Sequence, residues 1–175
     1  MKIGILGGTG RMGSRLAHGY AQAGHEVILG SRSLKKAENV AAKISAHVRG
    51  GSLQTAAQEG EIIVLTVRFR DAVGTLRAVQ DALTGKIVVD ITNPFGAVPP
   101  GQLAGIEHNS KAATSARWVA AYKTTFWKTL EEPRGPDGQP LDVFVCSEDQ
   151  EAKRIVMELI TETGFRGIDC GGNEN

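Results

Sequence analysis

Met1-Lys2-Ile3-Gly4-Ile5-Leu6-Gly7-Gly8-Thr9-Gly10-Arg11-Met12-Gly13 opens the chain, and the rest is read from it. An apolar run at residues 3–6 leads directly into Gly8-x-Gly10-x-x-Gly13, and a helical pattern begins within that loop at Met12. A G-x-G-x-x-G pattern carries weight when it joins a strand to a helix in this way. Gly8 is expected to make the tight turn and Gly10 to let backbone approach a diphosphate. Gly13 is expected to let helix and strand pack closely. The first N–H groups of a helix lack intrahelical acceptors and favour negative charge, so phosphates belong there. A glycine-rich turn without a ligand is the bland alternative, and the placement of the loop argues against it.

Working outward, short apolar runs recur at residues 27–29, 62–67, 87–91, 118–121 and 143–146, with a last candidate at 166–169. Most are continuous rather than alternating, as in strands buried on both faces. Helical spacing fills the intervals at residues 12–23, 34–44, 71–83 and 148–163, the last stopping at Gly164. The order β-α-β-α-(short α)-β-α-β, a less regular stretch, then β-α-β implies right-handed crossovers. The expected fold is α/β: a Rossmann-type, doubly wound, mainly parallel sheet with helices on both faces, forming a single dinucleotide-binding domain over residues 1–175. Residues 131–140, rich in proline and glycine, read as a surface loop.

The tip of the second strand chooses the nucleotide. Folds that prefer NAD place an acid there for the ribose 2′-hydroxyl. Here the strand ends in Gly30-Ser31-Arg32-Ser33-Leu34-Lys35-Lys36, with no acid between Glu26 and Glu38. Ser31 and Arg32 offer a hydroxyl and a planar cationic fork for a 2′-phosphate, and Lys35 or Lys36 can add charge. NADP is favoured over NAD.

Composition sets the outer limits. Twenty basic against nineteen acidic residues leave a formal charge of +1, which gives no reason to expect nucleic acid or an anionic membrane as partner. Apolar runs are strand-sized, short of the roughly 18 residues of a membrane span. One lysine and four apolar residues before the glycines do not make a secretory signal, so a cytoplasmic location is expected. Two cysteines, Cys146 and Cys170, and four scattered histidines offer no metal-ligand spacing. No metal is expected, and no residue stands out as catalytic. His25 and Cys146 read as structural.

The same stretches resemble the coenzyme F420-dependent NADP oxidoreductase family. The likeness runs through Met1 to Gly10, Gly24-His25-Glu26-Val27, Gly30-Ser31-Arg32, Val64-Leu65-Thr66-Val67 and Lys86-Ile87-Val88-Val89-Asp90. It continues in Asp142-Val143-Phe144-Val145-Cys146, Glu151-Ala152-Lys153, Gly164-Phe165 and Asp169-Cys170-Gly171. The resemblance implies hydride exchange between NADPH and a small-molecule acceptor, coenzyme F420 or a flavin-like ring. It implies that Thr9, Gly10, Arg11 and Met12 hold the dinucleotide, and that Ser31, Arg32 and Lys36 hold the 2′-phosphate. The nicotinamide is then expected near Thr66, Val67, Asn93 and Ala121. Such transfer needs two rings held in contact and water excluded, with no covalent nucleophile.

The chain also departs from the family pattern. Arg68-Phe69-Arg70 stands where a proline is usual, and Tyr122-Lys123-Thr124 where an aromatic or aliphatic residue, then Asn or His, then Thr is common. Arg68 and Arg70 can bind an acidic or phosphate-bearing acceptor, with Phe69 stacking on its ring, or they can be a solvated helix start. Trp118, Tyr122, Phe126 and Trp127 read as core or dimer packing ahead of ring stacking. A homodimer is left open. Reading the glycines as Gly7, Gly10 and Gly13 suggests short-chain dehydrogenases, but Gly24 and Phe126 occupy the positions four after Tyr20 and Tyr122 where a lysine is needed. A non-enzymatic NADPH-sensing module is the alternative from another class.

Overall fold

The computed structural model describes residues 1–96 and 105–172. Its elements run β1 (Lys2–Leu6), α1 (Arg11–Gln22), β2 (Glu26–Ser31), α2 (Leu34–Ala41), β3 (Val48–Ser52), α3 (Leu53–Glu59), β4 (Ile62–Leu65) and α4 (Phe69–Arg77). A 3-10 turn over Gln80–Leu83 leads to β5 (Ile87–Asp90), α5 (Ile106–Ser110), β6 (Arg117–Ala120), β7 (Asp142–Val145), α6 (Gln150–Glu162) and β8 (Arg166–Asp169). Six strands form one parallel sheet in the order β3-β2-β1-β4-β5-β6. This is the doubly wound order expected of a Rossmann fold, and it reverses direction between β1 and β4.

Alternation along the strands builds two cores. In β4, Ile62 and Val64 pack with Leu16, Tyr20 and Val27 on the face carrying α1. Ile63 and Leu65 pack with Ala56, Leu76 and Leu83 on the opposite face. Gly4 is required by the second face: a Cβ there would lie 2.1 Å from the Ala56 carbonyl oxygen, so α3 lies directly on β1.

Three features differ from the sequence reading. Val48-Arg49-Gly50-Gly51-Ser52 is a strand, paired with β2 from Val27↔Val48 to Ser31↔Ser52. Its glycines disguise it. Gly50 is small because α2 packs onto it, so that a Cβ would meet the Glu38 nitrogen at 2.3 Å. The helix expected over residues 71–83 starts at Phe69 and breaks into the 3-10 turn. Lastly, β7 and β8 form their own parallel pair. An antiparallel bridge, Ala120↔Cys146, joins that pair to the edge of the main sheet. Arg117 reinforces the junction, its Nε and Nη2 donating to the two carboxylate oxygens of Asp149 at 2.6 and 2.8 Å.

Candidate functional site

The crevice at the β1/β4 switch point is built first by the glycine loop. Gly7 turns left-handed at φ 89°, so the tight turn expected of Gly8 belongs to Gly7. The N–H groups of Gly7 and Gly8 both donate to the Gly30 carbonyl, at 3.0 and 3.2 Å, pinning the loop to the tip of β2. Gly8 and Gly13 are small for reasons of packing. A Cβ on Gly8 would lie 2.7 Å from Leu29 Cδ2, and one on Gly13 2.7 Å from Gly8 Cα. Gly10 differs, because its Cβ would meet nothing closer than the Gly7 carbonyl oxygen at 3.4 Å. The protein itself does not demand glycine there. The space over Gly10 is open, as a cradle for a diphosphate needs to be. Gly10 is also the N-cap of α1 and has no side chain to satisfy the first N–H groups, and no acid lies in that first turn.

Behind the loop, Thr66 donates its hydroxyl to the Leu6 carbonyl at 3.0 Å and so fixes the end of β4 to the end of β1. A cavity of about 1060 Å³ opens in front, and Thr9, Gly10, Ser31, Arg32, Lys36, Thr66 and Val67 all line it. At its basic end Ser33 caps α2 by accepting the Lys36 N–H at 3.3 Å. The Ser31 hydroxyl accepts the Ser33 N–H at 3.1 Å, which leaves its proton available. Arg32 and Lys36 are exposed, and neither is paired with a carboxylate among the described residues. Cations at a helix start oppose the dipole, so an anionic ligand gives them a role. Ser33 was legible as a Ser before a helical run.

A second cavity of about 800 Å³ adjoins the first and shares Thr66, Val67, Arg68 and Arg70 with it. Met12, Asn93, Phe69, Phe126 and Trp127 are among its walls. Gly8, Arg11, Gly13 and Ala121 line neither cavity. Arg11 lies over the Trp127 ring at 5.3 Å, beside Arg15 at 4.4 Å. Ala121 is fully buried, and its neighbour Tyr122 takes the place at the wall. The four aromatics divide. Trp118 and Tyr122 are buried, whereas Phe126 is exposed and in contact with the half-buried Trp127 at 5.4 Å between rings.

The floor of this cavity is a polar network with no signal in the sequence. Asp90, fully buried at the end of β5, accepts from the Thr92 N–H at 2.8 Å and from Asn109 Nδ2 at 3.1 Å. Lys123 Nζ lies 3.3 Å from the same carboxylate and donates to the Thr92 carbonyl at 2.7 Å. Asn93 Nδ2 donates to the Lys123 carbonyl at 2.6 Å. The amide nitrogen of Asn93 is thus committed to tying the β5 exit to the loop after β6. Tyr122, which begins that loop, adopts φ 56°. Burial pushes its hydroxyl up to about 12, so it holds its proton across the physiological range. No group of three or more potential metal ligands occurs among the described residues, and none of their helices is long and apolar enough to cross a membrane. His25 is buried and reaches Glu162 at 3.0 Å, away from the crevice.

Comparison with known proteins bears on the same chain. The family described as "NADP oxidoreductase coenzyme F420-dependent" matches residues 2–94. The F420-dependent NADP reductase of Methanocaldococcus jannaschii is 33% identical over 99% of this chain and 85% of its own length. That of Methanothermobacter marburgensis is 34% identical, covering 100% of this chain and 86% of its own. Among solved structures, a putative F420-dependent NADP reductase from Arthrobacter sp. FB24 superposes with a TM-score of 0.85 at 29% identity, over 98% of this chain and 85% of that one.

Proposed function

The chain belongs to the family of coenzyme F420-dependent NADP oxidoreductases, and on that premise we propose how its two cavities divide the hydride transfer. NADPH lies along the larger cavity with its nicotinamide reaching past Thr66 and Val67 to Met12 and Asn93 of the smaller, which takes the deazaflavin of F420. The observation that carries this division is the lining that the two cavities share, Thr66, Val67, Arg68 and Arg70, which sets them side by side. When bound, the nicotinamide supplies the hydride from C4 and the deazaflavin accepts it.

The protein's part is binding, orientation and exclusion of water. The N–H groups at the start of α1, in the segment Thr9 to Gly13, take the diphosphate over the open Gly10. Gly8 and Gly13 shape the loop from behind. Ser31 donates its hydroxyl to the 2′-phosphate, and Arg32 and Lys36 neutralise it. Thr66 and Val67 back the nicotinamide, while Met12 closes one side. Asn93, held by Lys123, keeps its carbonyl oxygen for the carboxamide N–H. Ala121 acts through Tyr122, which fixes the loop bearing Phe126 and Trp127. Those two aromatics offer the acceptor ring an apolar wall. No side chain is asked to form a bond to either substrate. A cytoplasmic location belongs to the same proposal.

The test is spectral. NADPH oxidation is followed with F420, FMN, FAD and a ferric chelate as acceptors. Reduction of F420 well above the others is expected. NADPH binding without turnover on any acceptor would instead indicate a sensor.

A further inference from the structure

The geometry points to an anion-recognition site formed by Arg68 and Arg70, which holds the acidic, phosphate-bearing side chain of the hydride acceptor; it rests on reading the aromatic cavity as the acceptor's. Both arginines are exposed and both line the two cavities, so they stand where the cavities adjoin. Neither guanidinium is paired with a carboxylate among the described residues. Phe69, between them, packs on His108 at 5.2 Å between ring centres. That contact anchors the turn while leaving the arginine on either side free to face the cleft.

Charge balance then says what they face. The described lining of the aromatic cavity has three cations, Arg68, Arg70 and Lys123, and no acid. Lys123 is spent on buried Asp90. In the larger cavity the dinucleotide's anionic groups already have matches: the α1 N–H groups for the diphosphate, and Ser31, Arg32 and Lys36 for the extra phosphate. Arg68 and Arg70 are therefore surplus to NADPH. The described lining there includes one acid, Asp71, which is exposed and likewise unpaired. A guanidinium fork matches a phosphodiester or carboxylate bidentately, whereas a neutral acceptor would leave both forks to water. Coenzyme F420 carries a phosphodiester and carboxylates on its side chain. The same chromophore ending in a plain sugar alcohol carries none.

Equilibrium binding tests this without turnover. The protein, saturated with NADP⁺, is titrated with oxidised F420 and with the neutral chromophore alcohol, following the deazaflavin's own fluorescence. Wild type is expected to bind F420 about tenfold more tightly than the neutral compound, a preference that shrinks as salt is raised. In R68Q/R70Q the two dissociation constants should converge, and R68K/R70K should restore part of the preference. Equal affinities in wild type, or a loss in the double variant that is the same for both compounds, would overturn the site while leaving the functional reading intact. A loss of NADP⁺ affinity in the double variant with the acceptor preference retained would overturn it too, by assigning the arginines to the dinucleotide. Wild type binding neither deazaflavin would defeat the functional reading, and this inference with it.

Discussion

Arg32 and Gly10 are the proposed contacts to the 2′-phosphate and the diphosphate, and each makes a distinct prediction. Arg32 is exposed and has no acidic neighbour to hold it, so its removal should cost the fold little. Arg32→Ala is expected to weaken NADPH binding by about 1–3 kcal/mol, with much less effect on NADH, as titration calorimetry would read. Equal losses for both nucleotides would remove the 2′-phosphate from its role. Gly10→Val should leave the thermal transition close to wild type while abolishing NADPH binding, because its Cβ has room on the protein side and none beneath a diphosphate. Gly13→Val should instead destabilise the protein itself, since its Cβ lies 2.7 Å from Gly8 Cα. The three glycines look alike as letters. What separates them is the neighbour each would strike, and that neighbour comes from another part of the chain.

Among the elements, the corner formed by β7, α6 and β8 is held by three ion pairs whose carboxylates are depressed. The Arg117 guanidinium, with the Ala152 N–H behind it, brings Asp149 down to about 2. Arg166 lowers Asp142, and Lys153 lowers Asp169. A carboxylate depressed in the folded state contributes stability that is complete above its ordinary pKa and is lost as pH falls through the folded value. This corner should therefore loosen between about pH 4 and pH 2, ahead of the six-stranded sheet. Hydrogen exchange in α6 against β1 would show it, and uniform exchange across both would contradict it. Asp149→Ala, which removes the N-cap of α6 together with the partner of Arg117, should lower stability by about 1–2 kcal/mol in urea unfolding. Elements with several branched apolar residues in a row, such as β4 and β5, were plain in the sequence. β3 was not, because of its two glycines: Gly50 lies under α2, and Gly51 faces Ile28 and Thr55. The break after α4 was hidden because the apolar spacing of Val73, Leu76, Val79 and Leu83 continues through it.

At the scale of the whole molecule, the candidate dinucleotide site was legible because the residues proposed for it lie in two short local segments, the glycine loop and the tip of β2. The second cavity is assembled from segments far apart: Arg68 and Arg70 after β4, Asn93 after β5, and Phe126 and Trp127 after β6. The buried link from Asp90 to Lys123 that aligns the last two spans 33 positions and has no local signature. The central claim is that the two cavities bring a nicotinamide and a deazaflavin into direct contact across their shared wall. NADPH carrying deuterium at both C4 positions, mixed with enzyme and oxidised F420, tests it most directly. Mass spectrometry of the reduced deazaflavin should find one deuterium, at its C5. Reduction with only solvent hydrogen at that carbon, or no reduction at all, would contradict it.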